Sequence, residues 1–146
     1  MIRAGVGQSN NASTTSAVTE ALQKALAQAG TAKADAALVF FSVEHAAREL
    51  ELAETIRRVA GTERVAGCSA SGVLTSGGEV EGGHGLAALV LSSDQLDCRP
   101  LLFHPLRERE IDIGIDLAGV AAPSKATGSL SWRCSPILIT ANRNGS

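Results

Sequence analysis

A chain of 146 residues, 45% of them apolar, has the size of one domain and enough hydrophobic material for a core of its own. Tyr is absent and Trp occurs once, so the aromatic platforms on which nucleic-acid modules stack bases are scarce. A formal charge of −2 with scattered basic residues gives no footprint for a phosphate backbone, and nucleic acid is excluded as a partner.

The chain opens on a short apolar stretch, Ile2 to Val6, which runs into a polar loop, Gly7 to Ser13. From about Thr14, the residues Val18, Leu22, Ala25, Leu26 and Ala29 follow helical spacing, and Gly30 supplies the stop. Ala36 to Phe41 is a continuous apolar run, the pattern of a strand covered on both faces. A second helix is expected from Ser42 as N-cap to Gly61, with Glu44 in its first turn and Arg57 and Arg58 in its last. Ala46, Leu50, Ala53, Ile56 and Val59 give it an apolar face. Arg64 to Cys68 is read as a third strand, adjacent and parallel to 36–41, both as inner strands.

Gly72 to Thr75 reads as a strand, Ser76 to Gly78 as a turn, and the glycines at 82, 83 and 85 as a link to a strand from Leu86 to Leu91. A turn at Ser92 to Asp94 and a strand from Asp97 to Phe103 make a hairpin with it. Ile111, Ile113, Ile115 and Leu117 alternate with Asp112, Gly114 and Asp116, the pattern of a half-buried strand. Pro123 to Ser131 reads as a loop, Pro136 to Thr140 as a last strand, and Ala141 to Ser146 as a polar stub. The fold class expected is α/β: a mixed sheet that starts with parallel β-α-β-α-β and continues with antiparallel strands, helices packed on it.

In such sheets ligands bind beyond the carboxyl ends of the parallel strands. Three polar segments fall there: Gly7 to Asn11 with Ser9 and Asn10, then Ser42 with Glu44 and His45, then Gly67, Cys68, Ser69, Ser71 and Gly72. Their hydroxyls, amides and close backbone suit a small polar or zwitterionic ligand, and the helix starts near Thr14 and Val43 favour an anionic group on it. Gly5 to Asn10 matches a dinucleotide fingerprint at two glycines and fails at the third. Gly67-Cys68-Ser69-Ala70-Ser71 is one glycine short of a nucleophile elbow and leads into a strand, not a helix. Neither Cys68 nor Ser69 is therefore expected to be a nucleophile, and no catalytic residue is assigned.

The three cysteines, Cys68, Cys98 and Cys134, form no Cys-x-x-Cys pair, which points to reduced thiols. The three histidines, His45, His84 and His104, are isolated in sequence, and no metal or other cofactor is expected. The acidic pairs Glu79/Glu81 and Glu108/Glu110 read as solvated loop charges. The N-terminus lacks a signal pattern and no apolar run nears about 18 residues, so a soluble, cytoplasmic protein without a membrane partner is expected.

Ala4-Gly5-Val6-Gly7, the Ala-rich helix, Leu38-Val39-Phe40-Phe41-Ser42 and Arg64-Val65-Ala66-Gly67-Cys68-Ser69-Ala70-Ser71-Gly72-Val73 together resemble the FIST N-terminal domain. Glu79-Val80-Glu81 leading to Gly85-Leu86-Ala87-Ala88-Leu89-Val90 is similar to that family's next strand. The resemblance spans about residues 1–103, and its most specific part is the Gly-Cys-Ser-x-x-Gly turn. It implies a sensory input domain of signal transduction that binds a small ligand, such as an amino acid or similar metabolite, without turnover. It divides the chain into a FIST-like domain at 1–105 and a tail at 106–146 that matches poorly and would belong to a truncated larger domain. The partners implied are the small ligand and a C-terminal FIST half or a signalling protein. Two other readings stand beside it: a Ser/Cys-dependent acyl-transfer hydrolase with His45 or His84 as base, and a fragment without independent activity.

Overall fold

The computed structural model describes residues 1–94, 96–98, 100–103, 108–121, 132–134 and 137–139, in two compact units, Met1–Asp94 and Gln95–Ser146. The first unit contains β1 (Ile2–Ser9), α1 (Thr14–Ala29), β2 (Ala36–Ser42), α2 (Val43–Ala46), α3 (Glu49–Ala60), β3 (Val65–Ala70), β4 (Gly72–Thr75), β5 (Gly78–Glu81) and β6 (Leu86–Ser93). Its sheet has the order β1-β6-β2-β3: β2 and β3 are parallel, and β6 runs antiparallel to both its neighbours. The α/β class and the mixed sheet are as the sequence predicts.

α1 follows directly from its sequence. Ser13 caps it by accepting the Ser16 N–H, and Gly30 ends it at φ 64°. The Gly30 and Thr31 N–H groups bond to the Ala27 and Leu26 carbonyls, closing the last turn in a Schellman pattern. Ala17, Val18, Ala21, Leu22, Ala25 and Ala29 are buried, and with Leu86, Val90, Val39 and Ile56 they form the core. At Gly5 and Gly7 the helix backbone lies directly on β1: a Cβ at Gly5 would stand 2.0 Å from the Ala25 carbonyl oxygen, and one at Gly7 1.9 Å from that of Ala21. These glycines are therefore required by helix packing, which accounts for them without a ligand.

The second helix departs from expectation. It is broken after Ala46, giving the one-turn α2 and the longer α3, which Gly61 ends at φ 70°. The buried face of α3 is Leu52, Thr55, Ile56 and Ala60, while Leu50 is 77% exposed. The break rotates the apolar stripe away from the register that one continuous helix would give. The strand at 65–70 also differs in place: it is adjacent and parallel to β2 as predicted, but of the two only β2 is an inner strand, and β3 borders the sheet. β6 is inserted between β1 and β2, an arrangement that for β1 depends on pairing between residues far apart in the chain, from Ser9 with Leu86 to Ile2 with Ser93. β4 and β5 form an antiparallel hairpin in which Val73 pairs with Val80, and their side chains close over Gly85. Glu79 and Glu81 thus belong to a strand and not a loop. β4 lies against β1, β2 and β6.

The second unit contains β7 (Leu96–Cys98), β8 (Leu101–Phe103), α4 (Glu110–Ala121), β9 (Trp132–Cys134) and β10 (Ile137–Ile139). β7 pairs in parallel with β9, and β8 in parallel with β10, where the sequence predicts one strand over 97–103 in an antiparallel hairpin. The expected strand at 111–117 is the helix α4. Ile113 is buried and Leu117 and Val120 are half-buried, a spacing of four and three that marks a helix face, whereas Ile111 and Ile115 are exposed. Glu110 and Asp112 in its first turn favour the helix N-terminus. The loop expected at 123–131, the stub at 141–146 and His104 lie outside the described residues. Among the described residues no helix is long and apolar enough to cross a membrane.

Candidate functional site

Because β1 and β2 both run antiparallel to β6, and β3 runs parallel to β2, the carboxyl ends of all three strands meet one edge of the sheet. The hairpin β4–β5 lies against this region and leaves an open cleft of about 490 Å³ between the outer side of β1, α1 and β5. Lys24 and Gln28 of α1, Gln8, Ser9 and Asn10 of β1 and its loop, and Ser76 and Glu79 of the hairpin give the cleft its polar lining.

The helix wall is built by a row of polar residues spaced by four. Glu20 accepts hydrogen bonds from Ser9 Oγ (2.6 Å) and Asn11 Nδ2 (2.9 Å), Lys24 Nζ donates to the Gln8 carbonyl (2.9 Å), and Gln28 Oε1 accepts from the Val6 N–H (2.5 Å). This spacing keeps the three side chains on one flank of α1, beside its buried stripe. The Ser9 and Asn11 bonds, with Lys24 nearby, hold the Glu20 carboxyl below the usual carboxylate range. On the hairpin side, Thr75 Oγ1 donates to Gln8 Oε1 (2.5 Å) and accepts from the Gly77 N–H (3.0 Å).

A second cluster lies at the end of β2. The Ser42 N–H donates to the Gly85 carbonyl (2.8 Å), and the Gly85 N–H donates to Ser42 Oγ (3.1 Å). Ser42 stands at the N-cap position of α2, but its oxygen accepts from Gly85 and not from that helix. Beside it the Glu44 carboxyl is held below its ordinary range, first by the Ser42 hydroxyl. His45 is 0% exposed; its Nδ1 is 3.0 Å from Thr14 Oγ1, and its Nε2 has no hydrogen-bond partner among the described residues. The His84 ring meets it edge to face with centroids 5.3 Å apart. Burial, then the neighbouring His84, push the His45 pKa below its ordinary value of 6.5. The two histidines are thus not isolated: the fold joins residues 39 positions apart, which no local motif signals.

Of the expected site residues, Ser9 and Asn10 line the cleft, and Ser42 and Glu44 belong to the histidine cluster. Gly67, Cys68 and Ser69 lie on β3, Ser71 follows it and Gly72 begins β4; none of the five is among the residues that line the cleft. Cys68, Ser69 and Ser71 are exposed, and among the described residues none of them is hydrogen-bonded to a histidine. Gly67 packs on its neighbour strand, where a Cβ would stand 1.8 Å from the Val39 carbonyl oxygen. Among the described residues no group of three or more His, Cys, Asp or Glu side chains is placed to hold a metal ion. Sequence reading overlooked Lys24, Gln28 and Glu79; the signal for the first two is the polar row at 20, 24 and 28 on the flank of the apolar stripe.

The family model described as the FIST N domain matches residues 35–139. No curated protein matches the chain.

Proposed function

The chain belongs to the FIST N domain family, a family of sensory signal-transduction domains, and from this we propose that it binds a small zwitterionic metabolite, of the amino-acid kind, in the cleft beside β1. The observation that carries the reading is the lining itself: one cation, Lys24, and one anion, Glu79, among neutral amides and hydroxyls in about 490 Å³. Small-molecule sites typically hold about 300–1,000 Å³ with a few placed polar groups. A carboxylate would be drawn to Lys24 and an ammonium to Glu79. The binding reading is favoured over acyl transfer because among the described residues neither Cys68 nor Ser69 is hydrogen-bonded to a histidine, and the hydroxyl that is, Thr14 on His45, is buried.

Isothermal titration of the 146-residue chain with the common amino acids and central metabolites tests this. Saturable binding that weakens about tenfold in Lys24→Ala and in Glu79→Ala is expected, from about 1.4 kcal/mol per lost charge contact. Binding indifferent to both substitutions would place the site elsewhere. Stoichiometric labelling of Cys68 or Ser69 by an acylating probe, with ester turnover, would favour the hydrolase instead.

A further inference from the structure

The polar row of α1 meets β1 in a particular way. In an antiparallel pair a residue's N–H and C=O point to the same side, and those of the next residue to the other. The Val6 N–H and the Gln8 C=O both reach α1 side chains beyond the border of the sheet, so Val6 and Gln8 direct their main-chain groups away from β6. Gln28 gives the Val6 N–H an amide oxygen, and Lys24 gives the Gln8 C=O an N–H donor. One acceptor and one donor at positions two residues apart is the pattern that the main chain of another strand presents.

We infer that the cleft takes an extended peptide of three residues or more, paired to the outer edge of β1 as an added strand, its main chain replacing Gln28 and Lys24 on Val6 and Gln8. This rests on the proposed function and names the ligand class of the same cleft. Length decides between a peptide and a single amino acid. Val6 and Gln8 are two residues apart, about 7 Å along a strand, while one residue spans about 3.4 Å. A free amino acid can reach one of the two anchors, and a tripeptide can place its first and third residues opposite both. Gly5 and Gly7 turn toward α1 and leave the border of the strand free of their bulk. The long side chains of Gln28 and Lys24 can leave their main-chain partners without moving the helix. Strand addition of this kind draws affinity from main-chain hydrogen bonds.

The test uses the full chain with trialanine, alanine, and trialanine N-methylated at its second or its third residue, followed by titration calorimetry and amide NMR. Trialanine is expected to bind at least about tenfold more tightly than alanine, with the largest amide shifts at Val6 and Gln8. Methylation at the third residue removes a paired N–H and weakens binding, whereas methylation at the second leaves it unchanged. Gln28→Ala removes the competing acceptor and tightens trialanine about 3- to 10-fold. Weaker binding in Gln28→Ala, shifts centred elsewhere, or alanine binding as well as trialanine would each overturn strand addition and leave the small-ligand reading standing. Absence of binding by peptides, amino acids and metabolites alike would remove both.

Discussion

β1 and β3 border the same four-stranded sheet and both carry glycines, but the glycines serve different neighbours. In β1 they face α1 and let the helix backbone descend onto the strand, close enough for Lys24 and Gln28 to reach over it to main-chain groups. In β3, Gly67 meets the carbonyl of its own sheet partner Val39, and the residues that follow, Cys68 and Ser69, are exposed. A glycine next to a strand end therefore does not by itself indicate a ligand. What distinguishes the β1 side is the second layer that the glycines admit, which brings charged and amide side chains to a strand edge.

The sharpest way to break this contrast is Gly7→Val, which sets a side chain against the Ala21 backbone at a distance that only a shift of α1 can relieve. A loss of about 3 kcal/mol or more is expected in urea unfolding, at the upper end of overpacking effects. Thr14→Val comes next. It leaves the buried His45 Nδ1 without its partner, and a loss of about 1–3 kcal/mol is expected by the same measurement. Acid titration of stability should then show two windows. The lowered His45 pKa means that the unfolded chain binds a proton that the folded chain resists, so stability is full above pH 6.5 and falls as pH drops below it. Glu20, Glu44 and Glu51, all lowered, contribute stability above 4.5 that is lost at lower pH. His45→Leu should remove the upper window and leave the lower one, and an unchanged upper window would show that His45 does not control it. The smallest effect belongs to the β3 side: Ser71→Ala, at an exposed position, should change stability by less than about 0.5 kcal/mol.

Much of the first unit is legible in the sequence because its signals are local. Gly30 and Gly61 end helices where periodicity runs out, and the apolar run at 36–41 is an inner strand. The insertion of β6 between β1 and β2 is not legible, because strand order depends on pairing between distant residues and a parallel β-α-β reading has no local conflict with it. α4 was obscured by coincidence: an Ile at every second position from 111 to 115 mimics a strand, and only Leu117 and Val120 extend the helical face of Ile113. The candidate cleft was half visible. Ser9 and Asn10 follow from the strand-end rule, but Lys24 and Gln28 required knowing that α1 lies directly on β1, and the His45–His84 contact required the tertiary fold.

The connection from Ser9 to Ser13 is held at several points: Glu20 binds Ser9 and Asn11, Asn11 Oδ1 accepts the Ser13 N–H, and Ser9 Oγ accepts the Asn11 N–H. One wall of the cleft is thus set by folding, before any encounter. Ordering a mobile side chain at a binding surface costs about 0.5–1.5 kcal/mol each, and here that loss falls on folding and not on association. The consequence is temporal. Entry against a preset wall needs no slow rearrangement, so association should rise linearly with concentration, near the usual range of about 10⁵–10⁷ per molar per second. Differences in affinity then reside in how long the complex lasts, and the dissociation rate fixes how quickly a sensor of this design forgets a signal that has ended.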